Sequence, residues 1–289
     1  MIQYSYFFYN IASQNFNELK GIHMDLEDIK NQVKDLTKEV GKFIVNEWDE
    51  LSSENVEKKG LNDFVTYVDT TSEEKLVKGL KGILPEAGFI VEENTSQKKG
   101  ERYNWIVDPL DGTTNYIHGI KPFSISVALE KDGKIVMGLV NELGGNEIFS
   151  AWTGSPAFLN DTQVKVSETA TLEESILATG FPYKDFDRLE AYMNLLKHFM
   201  RSSHGIRRFG SAAADLCYVA TGRFEAFFEY SLKPWDVAAG SFILKQAGGK
   251  VSDFSGGDGY LFNQEIIAAN SKVFDQILQD IKSYMMDKK

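Results

Sequence analysis

Two aspartates three residues apart carry the clearest chemistry in the chain, in the run Trp105-Ile-Val-Asp108-Pro-Leu-Asp111-Gly-Thr-Thr-Asn-Tyr-Ile-His-Gly119. An apolar stretch stops at one carboxylate, and a second follows beside a glycine and two hydroxyls. Pro109 removes a backbone donor and fixes its own φ. Gly112 permits a tight turn that a side chain would obstruct. Two acids on one rigid turn at a strand end suit a divalent cation, although Asp-x-x-Asp-Gly alone is usually a solvated loop. Here it has company. Phe89-Ile-Val-Glu92-Glu93 is another apolar run ending in acids, and Lys233-Pro-Trp-Asp236-Val-Ala-Ala-Gly240 sets an aspartate in an otherwise apolar helix start. Burying that aspartate unpaired is costly. Three acidic positions so far apart in sequence predict one site assembled by the fold.

Oxygen ligands of this kind select Mg²⁺ or Mn²⁺ over zinc, which prefers Cys and His. Two such ions about 3.5–4 Å apart can clamp the attacking and leaving oxygens of an in-line displacement. A carboxylate shared between the ions suits that spacing.

The Asp-Pro-Leu-Asp-Gly-Thr-Thr-Asn block at 108–115 and the Trp-Asp-Val-Ala-Ala-Gly block at 235–240 resemble the two signatures of the inositol monophosphatase family of Mg-dependent phosphatases. Further similarity runs through Gly180-Phe-Pro-Tyr183, His204-Gly-Ile-Arg-Arg208, Gly210-Ser-Ala-Ala213 and Gly248-Gly249, and spans roughly residues 25–285. The resemblance implies a layered αβαβα sandwich, of the α+β class, and a bacterial type of enzyme. It implies two or three Mg²⁺ ions, with Mn²⁺ as substitute, lithium sensitivity and a homodimer.

The same resemblance assigns roles. Asp108 would bridge two cations, with Glu92 and the Leu110 carbonyl completing the first site and Asp111 and Asp236 the second. Asp69 matches a position linked to a third, weaker ion. Glu92 and Thr113 would orient the attacking water, activated by the metal, and accept its proton. Gly112 and Thr113 offer N–H groups to the phosphate where the turn opens a helix. Asp111, the Ala212 backbone and Glu229 match positions that contact inositol hydroxyls. Each has a plainer alternative: Glu92 a surface acid beside Glu93, Asp236 a helix cap, Asp69 part of an N-cap cluster, Glu229 a strand-end acid facing water, Thr113 a turn hydrogen bond. Lys58 aligns near the third ion but also reads as a solvated charge. His118 reads as structural, and Arg207 and Arg208 reach either phosphate or a subunit interface. Val91 and Lys233 depart from the family pattern.

The implied reaction is hydrolysis of myo-inositol 1-phosphate or a related polyol or sugar phosphate. Alternatives are fructose-1,6-bisphosphate or 3′-phosphoadenosine phosphate on the same metal core, and a regulatory or RNA-processing partner protein whose hydrolase site is incidental.

The bulk properties bound these readings. At 289 residues, 43% hydrophobic and 25% charged, the chain is an ordinary globular protein with room for a large core. A formal charge of −11 argues against nonspecific nucleic-acid binding and would repel a phosphate ester, so a local positive centre is needed. Cys217 is the only cysteine, read as a small buried apolar residue, which fits a reducing cytoplasm. No apolar run reaches membrane-spanning length. The expected organisation is an extension over 1–23 that is foreign to the native protein, an α+β half over 24–174 with most metal ligands, and an α/β half over 175–289 with Asp236 and substrate contacts.

The elements that must position the site are legible as periodicity. From Met24 to about Leu51, the apolar residues Leu26, Ile29, Val33, Leu36, Val40, Phe43 and Trp48 mark one helix face. Ser72 is expected to cap a second helix, with Leu76, Leu80 and Ile83 inward. Phe123, Ile125, Val127 and Leu129 alternate as a strand, Asp132-Gly133 turns a hairpin, and Lys134 to Asn141 returns. Further strands are expected over 147–153, 176–179, 223–229, 250–254 and 265–269. Helices are expected over 187–200, over 211–221 with Gly222 as stop, over 234–247 between Pro234 and Gly248, and after a Ser271 cap with Phe274, Ile277, Leu278 and Ile281 inward.

Overall fold

The computed structural model describes residues 25–48, 56–58, 64–93, 95–96, 98–182 and 185–286, with the backbone alone at 56–58 and 64–66. The expected extension over 1–23 lies outside the described residues. In chain order the elements are α1 (Leu26–Trp48), β1 (Val56–Lys58), β2 (Phe64–Thr66), α2 (Tyr67–Ile83), β3 (Gly88–Val91), β4 (Tyr103–Asp111) and α3 (Thr113–Ile117). Then come β5 (Ser124–Lys131), β6 (Lys134–Glu142), β7 (Glu147–Trp152), β8 (Ala157–Leu159), β9 (Thr162–Val164) and β10 (Ile176–Thr179). The last part holds α4 (Leu189–Ser202), β11 (Gly205–Arg207), α5 (Ala212–Ala220), β12 (Ala226–Tyr230), α6 (Pro234–Gln246), β13 (Lys250–Ser252), β14 (Glu265–Ala269) and α7 (Phe274–Met285).

Among the described residues the strands form a small β1–β2 hairpin, a seven-stranded sheet in the order β3 to β9, and a five-stranded sheet in the order β11-β10-β12-β14-β13. Alternation along each strand decides what each sheet face meets. On one face of the larger sheet, Trp105, Val107, Ile125 and Val127 pack on Val33, Val40 and Ile44 of α1 and on Leu76 and Leu80 of α2. On its other face, Ile106, Ala128 and Val140 share a core with Leu216 of α5, Ala239 and Ile243 of α6, and Ala178, Phe227 and Ala268 of the smaller sheet. The remaining face of that sheet packs Leu177, Phe228 and Ile267 against Leu195 and Phe199 of α4 and Ile277 and Ile281 of α7. The result is the αβαβα sandwich, with α5 and α6 as its central layer. Cys217 lies buried in that layer. No helix among the described residues is long and apolar enough to cross a membrane.

Two expected caps are corrected. α2 begins at Tyr67, five residues before Ser72, which is fully buried inside the helix. Val68, Leu76 and Leu80 recur at helical spacing around Ser72, and packing of that stripe overrides the local cap signal. At the last helix Ser271 is no cap: the helix begins at Phe274 after Val273 with no side-chain cap bond, and it is Asn270 Oδ1 that orders the preceding turn, accepting from Lys272 N at 2.9 Å and Val273 N at 3.0 Å. The strand expected from Arg223 starts only at Ala226, because Gly222, at φ 72°, and the Arg223 N–H still close the end of α5. Strands β8, β9 and β11 and the β1–β2 hairpin are too short to register as periodicity.

Candidate active site

The acidic turn owes its geometry to a β-bulge. On β4, Asp108 pairs with Ser126 and Asp111 with Ser124, so two residues of β4 stand opposite one of β5. In a regular strand, residues three apart point to opposite faces. The extra residue cancels that inversion, and both aspartates share the face of Ser124 and Ser126. That face meets the central helices: Ser124 Oγ lies 3.1 Å from Ser211 Oγ, and Ser126 Oγ donates to Trp235 O at 3.1 Å. Pro109, with no N–H to donate, sits where the ladder is broken.

Beyond the bulge the chain turns at Gly112, whose φ of 92° strains any other residue. A Cβ there would also stand 3.1 Å from Pro122 O and 3.2 Å from Gly210 O. Asn115 locks this approach, donating from Nδ2 to Pro122 O at 2.8 Å and Phe209 O at 2.6 Å. The Thr113 hydroxyl donates to the Leu110 carbonyl at 3.0 Å, so that carbonyl and hydroxyl are paired with each other.

Glu92, Asp111 and Asp236 border one cavity of about 370 Å³, together with Gly112, Thr113, Ala212 and Glu229. Asp108, 2% exposed, does not border it but is hydrogen-bonded with Glu92, which does. Asp69 and Leu110 are buried and do not border it; Asp69 sits in the first turn of α2, where its charge acts on Tyr116. Lys58 falls in β1, and its side chain lies outside the described residues.

The acids respond to one another. Burial, then the charges of Asp236, Glu93 and Asp111, push the Glu92 carboxyl up to about 8, against a hydrogen bond with Asp108. Burial with Glu92, Asp111 and Asp236 holds Asp108 well above the usual carboxylate range. Asp236 is pushed up to about 8 by burial, Asp111 and Glu229. Asp111 rises only to about 6, because Ser211, the Ala213 N–H and Arg208 oppose its burial.

As they stand, the oxygens face N–H and O–H donors. Asp108 Oδ1 accepts from Leu110 N at 3.0 Å, and Asp111 Oδ2 accepts from Ser211 Oγ at 2.5 Å and Ala213 N at 2.8 Å. Asp236 Oδ2 accepts from Lys233 N at 2.7 Å, so the helix-cap reading of Asp236 describes a bond that is made. In these orientations no three acidic, His or Cys side chains among the described residues are grouped to hold one ion. The donor set nevertheless fits a hard divalent cation in kind. It is oxygen only, it is buried, and its mutual repulsion is of the sort that a cation relieves.

Glu229 lies on β12, 8% exposed. Burial pushes its carboxyl up to about 8, with Arg208 opposing and Asp111 adding to the rise. Its alternative, a strand-end acid facing water, is excluded by that burial. A Cβ on Gly180 would lie 1.9 Å from the Glu229 Cδ, so any larger residue there displaces the Glu229 carboxyl. Gly180 is held in turn: its carbonyl accepts from the Tyr192 hydroxyl, which also meets Thr179 Oγ1 at 2.5 Å. Arg208 borders the cavity with its guanidinium over the Phe181 ring, 5.8 Å from the centroid.

Sequence reasoning passed over Glu73 and Asp215. Glu73 is buried in α2 and accepts from Glu93 N, Thr95 N and Thr95 Oγ1 at 2.7, 2.9 and 2.8 Å, which fixes the chain just after Glu92. Asp215 borders the cavity from within α5. The available signal was an acid inside the apolar run Ala212-Ala-Ala-Asp-Leu-Cys-Tyr-Val-Ala220.

Fold and site define a protein of the phosphatase fold, and the chain belongs to the inositol monophosphatase family, whose sequence model matches residues 25–286. Among curated proteins it is similar to Nus factor SuhB of Vibrio cholerae, 40% identical over 237 residues that cover 80% of this chain and 89% of the relative. It is 38% identical over 250 residues to Nus factor SuhB of Pseudomonas aeruginosa, covering 85% and 92%. Among solved structures, the extragenic suppressor protein suhB of Bartonella henselae matches with a TM-score of 0.84 at 37% identity, covering 88% of this chain and 98% of that one. The IMPase of Thermotoga maritima matches with a TM-score of 0.80 at 34% identity, covering 89% and 98%.

Proposed function

We propose that this chain is a Mg²⁺-dependent phosphomonoesterase that releases inorganic phosphate from myo-inositol 1-phosphate or a related polyol phosphate, working as a homodimer. The observation that carries this reading is the convergence of acids from three separate parts of the chain: Glu92, Asp111 and Asp236 border one cavity, and Asp108 lies buried within reach of Glu92. Two Mg²⁺ ions held by these carboxylates and the Leu110 carbonyl would neutralise the ester's charge and acidify water. A third, weaker ion would belong to Asp69.

The residues divide the remaining work. Glu92 takes a proton from the attacking water, and Thr113, whose hydroxyl proton already points to Leu110 O, keeps its oxygen free to accept. N–H groups of Gly112 and Thr113 serve the phosphate oxygens. Asp111, the Ala212 backbone and Glu229 receive the hydroxyls of the alcohol. A substrate panel of inositol 1-phosphate, fructose 1,6-bisphosphate and adenosine 3′,5′-bisphosphate, with and without Mg²⁺, tests the reading. Turnover confined to Mg²⁺ and highest on inositol 1-phosphate supports it; turnover indifferent to the cation overturns it.

A second reading is favoured by the designation Nus factor that the similar proteins carry. On it, the chain is a regulatory or RNA-processing partner and hydrolysis is incidental. A stoichiometric protein partner in pull-downs, with negligible turnover on every ester, would favour this alternative.

A further inference from the structure

Asp215 stands on α5, whose other residues from Ala212 to Ala220 are Ala, Leu, Cys, Tyr and Val. The residue is 1% exposed, and its Oδ1 has no hydrogen-bond partner among the described residues. Leaving a buried acceptor unmade costs about 1–3 kcal/mol, and more for a charged group. An apolar residue would continue the helix's packing surface without that penalty. Packing of the helix therefore does not account for the acid.

Its position does. Asp215 borders the cavity with Glu229 and Arg208, and all three interact electrostatically with one another. Two carboxyl groups and a guanidinium offer acceptors and donors side by side. A second phosphate would be repelled by the acids, and an aromatic ring would leave them unpaired. Adjacent hydroxyls, each both donor and acceptor, satisfy the set.

We propose that Asp215 is a specificity-determining residue, which with Glu229 binds neighbouring hydroxyls on the alcohol half of a polyol monophosphate. The inference rests on the phosphomonoesterase reading above. It implies that the enzyme discriminates polyol esters from esters without hydroxyls, because the latter strand buried polar groups.

The test uses the full chain with Asp215→Asn and Asp215→Leu, assayed on inositol 1-phosphate and p-nitrophenyl phosphate with saturating Mg²⁺. Both variants are expected to lose about 10-fold or more in kcat/KM on the inositol ester, chiefly through KM, and less than about 2-fold on the aryl ester. The thermal midpoint of Asp215→Leu without substrate is expected to equal or exceed that of the unaltered chain, since an unmade acceptor has been removed. An equal loss on both esters, or a lowered midpoint in both variants, overturns the proposal and makes Asp215 structural. Calorimetric binding of inositol 1-phosphate separates the two levels of inference. Should neither ester be hydrolysed, the phosphatase reading fails; binding no tighter to the unaltered chain than to Asp215→Leu still overturns the role of Asp215.

Discussion

Glu73 and Thr95 are joined twice: the Glu73 carboxylate accepts from the Thr95 N–H at 2.9 Å and from its hydroxyl at 2.8 Å. With the Glu93 N–H, this fastens the turn after β3 to α2 and holds Glu92 between two fixed points. Glu73→Ala strands these donors and is expected to cost about 3 kcal/mol, at about 1 kcal/mol for each bond. Hydrogen exchange at Glu93 and Thr95 should accelerate far more than in β4 or β5; unchanged exchange at those amides would contradict the clamp.

Asp108→Asn removes a charge from the most deeply buried acid of the set. Turnover is expected to fall at least about 100-fold, in line with damage to a metal site. Without added cation the variant should unfold at a higher temperature than the unaltered chain near neutral pH, because folding no longer has to hold a proton on a carboxyl that burial and its acidic neighbours keep from ionising. Near-normal turnover would remove Asp108 from the catalytic set.

Glu229 gives a pH signature. Its carboxyl is raised from 4.5 to about 8, so the folded protein holds a proton there that the unfolded chain releases. For a raised acid, stability is greatest below the unfolded value and is lost as pH rises through the folded one. Chemical denaturation of Glu229→Gln should therefore match the unaltered chain near pH 4 and exceed it increasingly up to pH 8. A gap that narrows over that range would reverse the assigned sign.

Cation binding is expected to raise the thermal midpoint, and more at pH 8 than at pH 6, since Glu92 and Asp236, raised to about 8, must shed protons to act as ligands. A chelator should restore the original midpoint. Scanning calorimetry at the two pH values reads both effects, and equal increments would speak against these acids as ligands.

Gly180→Ala drives a methyl group into the Glu229 carboxylate. The expected result is a raised KM for the polyol ester with little change on an aryl ester. A crystal structure of the variant with Glu229 unmoved would refute the packing argument.

Much of this was readable from the residues themselves. Alternation located β5 and helical periodicity located α1, because their apolar stripes run long enough to stand out, while β6 and α6 were bounded by the Asp132-Gly133 turn and by Pro234 and Gly248. Asp108, Asp111 and Asp236 announced themselves as acids in apolar surroundings. The bulge did not, since it is a property of the β4–β5 pairing and no local feature distinguishes a spacing of three that shares a face from one that does not. Ser72 misled because a good local cap is overruled when Val68 extends the buried stripe. Asp215 and Glu73 were passed over because their meaning depends on neighbours from α2, β12 and the turn after β3, which converge only in three dimensions.

Placing α5 and α6 in the middle layer has a kinetic corollary. The Glu92 and Asp108–Asp111 segments leave the ribosome well before α6, which carries Asp236 and fills the space between the sheets. Until that helix docks, the larger sheet has a bare apolar face and an incomplete acidic pocket. Completion of the core and closure of the acidic pocket are therefore one event, and a nascent chain that stops short of Pro234 leaves that apolar face open to aggregation.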